Sequence, residues 1–224
     1  MKKHMVKKKK FEFSEDKKAE IISNNACPLC KLDFLDPAFF ALIGLAIIFA
    51  SIVVSMFLYS NDLQAYYDFS GQYLSELGVG NVALLFNLGL IAGSFCIIPF
   101  FFFLHKSGAS FLRQLASYLG MAAFIFLIGV GLFPLNSIDM HRFTAMMFIF
   151  CASITSGIIS TETLFHPKKA PLSFIIMFSL LGFTSCIVGI ILLVAMNVPL
   201  MQKLAIALFM SWLGAFLLHE KINK

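Results

Sequence analysis

With 59% of its 224 residues hydrophobic and only 13% charged, the chain carries more apolar surface than a soluble domain of its size can bury. A net charge of +5 comes from Lys and Arg residues that cluster outside the apolar runs. Three of the five cysteines (Cys96, Cys151 and Cys186) lie inside those runs, so composition excludes both a soluble enzyme domain and a disulfide-stapled one.

The first 36 residues form a region of their own. KKHMVKKKK is a basic block followed by a mixed-charge stretch, a composition that predicts disorder. Its plain role is to hold the N-terminus inside. A sharper role is adhesion to anionic headgroups, worth about 1 kcal/mol per basic residue near the surface. Cys27-Pro-Leu-Cys30 has the spacing with which two thiolates grip one zinc. A closed site needs four ligands, and His4 is not at a finger-like spacing, so only half a site is present. A zinc shared between two chains would complete it.

Six apolar runs follow, at 38–59, 81–104, 114–133, 143–165, 172–196 and 200–218. Each approaches or exceeds the roughly 20 residues that a helix needs to cross a bilayer core. A barrel strand would be about ten residues long with alternating polarity, which excludes the β alternative. The chain therefore predicts an all-α, polytopic membrane protein: a six-transmembrane-helix bundle over 37–219, with a short tail at 220–224. The first run starts near Pro37, after a long polar stretch, and is too long for a signal-peptide core; it is expected to be an uncleaved anchor. Pro99 within the second run predicts a kink.

The Lys and Arg residues set the orientation. With the N-terminus inside, nine Lys in 1–37, then Lys106, Arg113, Lys168, Lys169, Lys221 and Lys224 all fall on the cytoplasmic side. Only Arg142 and Lys203 fall outside, which predicts that both termini are cytoplasmic in a multi-pass protein of the cell membrane. Gly89 and Gly93 form a GxxxG, Gly182 and Gly189 are seven apart, and Ser153, Ser156, Gly157, Ser160 and Thr161 share much of one face. These features predict close helix packing with local hydroxyl bonding rather than a transport pathway.

Topology then sorts the polar residues by side. His141 is the only histidine on the outer side, within Pro134-Leu-Asn-Ser-Ile-Asp139-Met-His141-Arg142. The first outer connection contains Asp62, Asp68, Ser75 and Glu76 and no basic residue. Asn87 lies about two turns into the second run, about 10 Å deep. Carboxylates, a hydroxyl and an imidazole together can bind a divalent metal or run acid–base chemistry. They can equally fix loops, with Ser75 or Asp139 as helix N-caps and Arg142 paired with Glu76 or Asp139. The candidate site is Glu76 and His141 in contact, with Ser75 and Asp139 as neighbours, Asn87 beneath, and Asp68 and Arg142 as further ligand contacts.

Leu74-Ser75-Glu76-Leu77-Gly78, Leu85-Phe86-Asn87-Leu88-Gly89 and Gly131-Leu132-Phe133-Pro134 followed by Asp139-Met140-His141 resemble one prokaryotic membrane family. It is catalogued as domain of unknown function 998. More distantly the chain is similar to six-helix proteins of the autophagy-modulator (DRAM) type, which share the F-P…H feature. The resemblance covers about 38–218 and implies that Ser75, Glu76, Asn87, Pro134 and His141 are family positions. It implies no activity.

Three functions are weighed. The first is a module that binds lipid or a partner through its outer face. The second is a membrane-embedded hydrolase acting on lipid at the outer interface, with Glu76 and His141 holding a metal or activating water and Ser75 or Asp139 assisting. The third is a transporter, ranked last because Glu162, near an inner end, is the only acidic residue within a run. The partners expected are the bilayer itself and anionic lipid at the basic tail, with no nucleic acid; a divalent metal is the one cofactor considered. The sequence defines no oligomeric state.

Overall fold

A computed structural model of the protein describes residues 36–60, 66–106, 110–166, 170–194 and 198–222. The basic tail with Cys27 and Cys30, together with Asp62, Lys168 and Lys169, lies outside the described residues. Among the described residues, six helices are long and apolar enough to cross a membrane. They are α1 (Pro37–Leu58), α2 (Ala83–Lys106), α3 (Phe111–Leu132), α4 (Ile138–Phe165), α5 (Leu172–Val194) and α6 (Pro199–Ile222). Short 3-10 turns occupy Leu74–Gly78, Gly80–Val82 and Leu135–Ser137.

The helix starts follow from local chemistry. Asp36 caps α1 by accepting from the Ala38 amide at 3.1 Å, and Pro37 supplies the fixed φ favoured at the first helical position. Ser110 caps α3 by accepting from the Arg113 amide at 3.2 Å. The helix starting at Ile138 begins five residues before the 143 read from hydropathy. Hydropathy marks where hydrocarbon begins, whereas a helix can continue into the polar interface. Asp139 in the first turn suits the positive end of the helix dipole. For the same reason α6 runs past 218 to Ile222.

Each helix packs on the next, and α6 returns to α1 to close the ring, with a lighter contact to α4. Small residues make the close approaches possible. A Cβ added at Gly44 would overlap the Gly93 carbonyl of α2, and one at Gly189 would overlap Ser153 Oγ of α4. Along α4 the hydroxyls turn back onto their own helix: Ser156 Oγ donates to the Ser153 carbonyl at 2.8 Å, and Thr161 Oγ1 to that of Gly157 at 2.8 Å. The hydroxyl-rich face is thus a packing surface. The aromatic centre of the bundle is Trp212, which is fully buried and stacks on Phe178 and Phe216 at centroid distances of 5.9 and 5.6 Å.

Glu162 does not face acyl chains. Its Oε1 accepts from Ser110 Oγ at 2.9 Å, and Arg113 Nη1 lies 3.9 Å from Oε2. The Arg113 guanidinium comes from α3 and also pairs with Glu220 of α6 at 2.5 Å. This cluster ties three helices together at the end of the bundle away from the first loop.

Candidate functional site

The opposite end of the bundle is covered by the segment between α1 and α2. Its base is clamped by Asn81, whose amide donates to the Leu58 carbonyl at 2.9 Å and accepts from the Ser60 amide at 3.2 Å. Its centre is Gln72. The Gln72 side chain accepts from the Asp68 amide at 2.8 Å and donates to Glu76 Oε2 at 3.0 Å and to Tyr59 Oη at 3.2 Å. The other Glu76 oxygen accepts from the Tyr73 amide at 2.8 Å, so the carboxylate reaches back over the 3-10 turn as the acid of a capping box. Asn87 Nδ2 donates to the Gly78 carbonyl at 3.0 Å, tying the end of this turn to α2.

Two residues at the start of α6 pin the cap from the other side. Gln202 accepts from the Leu74 amide at 2.8 Å. Lys203 Nζ donates to the Gln72 carbonyl and sits 5.4 Å from the Tyr67 ring centroid and 5.1 Å from that of Phe69. The Tyr67 hydroxyl donates to the same carbonyl at 3.2 Å. Burial, and then the charges of Glu76 and Asp68, push the Tyr67 phenol above its ordinary pKa, so it remains a neutral donor. Asp68 is exposed, and bonds from the Ser70 hydroxyl and from the Ser70 and Gly71 amides, with Lys203 nearby, hold its carboxyl below the usual range. Replacing Lys203 with Met keeps the apolar stem but removes the ammonium. Amide exchange across 67–78 is expected to quicken about tenfold or more, as befits a hydrogen bond to a charged group worth about 1.5–3 kcal/mol. Unchanged protection by exchange mass spectrometry would show that Lys203 does not hold the cap.

Two apolar spaces lie beneath the cap. An interior cavity of about 70 Å³ is lined mostly by Leu, Ile and Phe, with Ser75, His141 and Gln202 as its polar residues. A groove of about 540 Å³ lies between α1 and α6, with Phe69, Leu74 and Lys203 among its lining residues. Leu45, Ile52, Leu74, Ile206 and Met210 border both, so they form the partition between groove and cavity.

The predicted site residues separate into three groups. Ser75 and His141 share the interior cavity. The His141 ring is buried and its Nδ1 lies 2.8 Å from the Phe133 carbonyl. A carbonyl only accepts, so Nδ1 carries the proton and Nε2 is left as the second polar atom of the ring. Glu76, Asp68 and Asn87 belong to the cap, and the Glu76 carboxylate is engaged with Gln72 and Tyr73 rather than lining the cavity. Asp139 and Arg142 are exposed on the first turns of α4. Neither Ser75 nor Asp139 is an N-cap: Tyr73 precedes the 3-10 turn and Ser137 precedes α4. Among the described residues, Arg142 makes no ion pair with Glu76 or Asp139, and it is exposed. Among the described residues, no group of three His, Cys, Asp or Glu side chains converges as a metal site would require.

Sequence reasoning missed Gln72, Gln202, Tyr67 and Lys203. The signal available was Gln202-Lys203 itself, a polar pair near the start of the apolar run at 200–218.

Fold and cap together define a multi-pass integral membrane protein, an all-α six-helix bundle. Residues 39–219, which include all six spans almost entirely, match the family described as "Protein of unknown function (DUF998)", and the chain belongs to that family. No curated protein and no solved structure matches it.

Proposed function

We propose that this protein is a lipid-binding membrane module, and that one acyl chain lies in the groove between α1 and α6 with its polar end under the cap. The observation that carries this is the groove itself, about 540 Å³, apolar along both helical walls and polar chiefly where Lys203 meets the cap. From Lys203 to Ser211 is eight residues, about 12 Å of helix, which stays within the roughly 15 Å of one leaflet's hydrocarbon. Ala46 and Ala207 are exposed on opposite walls. Ala46→Trp with Ala207→Trp should fill the groove and lower co-purifying lipid, measured by native mass spectrometry, several-fold at unchanged melting temperature. Wild-type lipid content in that variant would contradict the proposal.

Both termini are assigned to the cytoplasm, which puts the cap on the outer face. Fifteen of the seventeen basic residues fall inside under this assignment. A cysteine replacing Asn81 should label from outside intact cells; labelling only after permeabilisation would reverse it. The basic tail then lies at the inner leaflet, where anionic headgroups would attract it.

A second reading, acid–base hydrolysis of the same lipid, is favoured by one observation. The Phe133 carbonyl fixes the His141 tautomer, and the ring shares a cavity with the Ser75 residue. It requires His141→Ala to abolish turnover while leaving lipid retention intact. The distant likeness to autophagy-modulator proteins remains a proposal of kinship, and the groove alone carries the function.

A further inference from the structure

Taking the groove as a lipid site, as above, we infer that its mouth selects a zwitterionic phospholipid, one whose headgroup carries an ammonium beyond the phosphate. One buried cation lines the groove, and an exposed carboxylate, Asp68, adjoins Phe69, which also lines it. Lys203 is 6% exposed and lines the groove. Its ammonium has three protons; one is directed at the Gln72 carbonyl, and the Tyr67 and Phe69 rings lie beside it. A phosphate at the groove mouth would find this ammonium as its counter-charge.

The cap also carries negative charge. Asp68 and Glu76 both act electrostatically on Lys203, so the three groups sum to one net negative charge. The Glu76 oxygens are turned inward onto Gln72 and Tyr73. The Asp68 carboxylate is exposed, and Ser70 folds its hydroxyl and amide onto one oxygen, Oδ1, at 2.7 and 2.9 Å. Next to it, Phe69 is 57% exposed. A headgroup ammonium would meet a carboxylate and a ring, both favourable to a cation. A headgroup with phosphate and no cation would raise the net negative charge beside Lys203 from one to two.

The test uses the full chain in detergent with equimolar phosphatidylethanolamine and phosphatidylglycerol, read by native mass spectrometry. Wild type should retain phosphatidylethanolamine at least about fivefold over phosphatidylglycerol. Asp68→Asn keeps an oxygen for Ser70 and so keeps the loop, but removes the charge; its preference should fall close to one. Asp68→Lys should invert it. Equal retention by wild type, a preference for phosphatidylglycerol, or an unchanged preference in Asp68→Asn would overturn the inference. If Ala46→Trp with Ala207→Trp still expelled the lipid in those cases, the groove reading would survive. Retention of neither lipid by wild type would overturn both.

Discussion

Replacing Arg113 with Ala should destabilise the protein by about 3–5 kcal/mol, the range seen when one partner of a buried ion pair is removed. The Arg113 guanidinium is the cation between two carboxylates, 3.9 Å from Glu162 Oε2 and 2.5 Å from Glu220 Oε1, and all three side chains are about nine-tenths buried. Without it, two negative charges share a poorly solvated site between three helices. His219 Nδ1 lies 3.9 Å from the same Glu220 oxygen. Charge, not volume, is then the cause, and Glu162→Gln with Glu220→Gln should restore much of the lost stability in the Arg113→Ala background. Thermal unfolding in detergent checks this. A triple variant no more stable than Arg113→Ala would mean that packing of the arginine stem, not its charge, is what matters.

Gly182→Ala should cost about 2–3 kcal/mol, near the upper part of the range for forcing an extra methyl into a packed core. The added Cβ would overlap Ser160 Oγ of α4 and approach Trp212 Nε1 of α6 to 2.7 Å. Neither neighbour is free to move. Ser160 Oγ accepts the indole N–H at 3.2 Å, and Trp212 has no solvent-exposed surface. Ser160→Ala alone should cost about 1–3 kcal/mol, because it leaves the buried indole N–H without an acceptor. The double variant should cost less than the two singles added together, since removing the hydroxyl makes room for the methyl. Strict additivity would show that α5 retreats from α4 instead of colliding with Ser160.

These positions also show how far sequence reasoning reaches. Gly182, Gly189 and the α4 hydroxyls could be read as packing surfaces because close helix approach demands small residues at helical spacing. The six spans could be read because bilayer thickness sets a minimum apolar length. A bare carboxylate in hydrocarbon is costly, so Glu162 needs a partner, but sequence does not reveal that the partner is on α3. Hydropathy periodicity carries no information about which helices meet. The cap was less legible still. Its closing contacts join Leu74 to Gln202 and Gln72 to Lys203, across 128 and 131 residues of chain. The sequence marks Ser75, Glu76 and His141 as one polar set, yet the 3-10 turn sends neighbouring side chains different ways. Ser75 lines the interior cavity, while Glu76 turns back onto Tyr73 and Gln72. Lys203, counted only as one of two outer basic residues, proves to be the clasp of the cap.

The occupant of the groove can be tested by photocrosslinking. Protein reconstituted with a phospholipid bearing a diazirine midway along one acyl chain would be irradiated, digested and mapped by mass spectrometry. If an acyl chain lies between α1 and α6, adducts should concentrate on Leu45, Phe49, Ile206, Ala207 and Met210 of the two walls. They should fall several-fold in the Ala46→Trp, Ala207→Trp variant. Adducts spread evenly over the lipid-facing residues of all six helices, and unchanged in that variant, would contradict a lipid-binding groove.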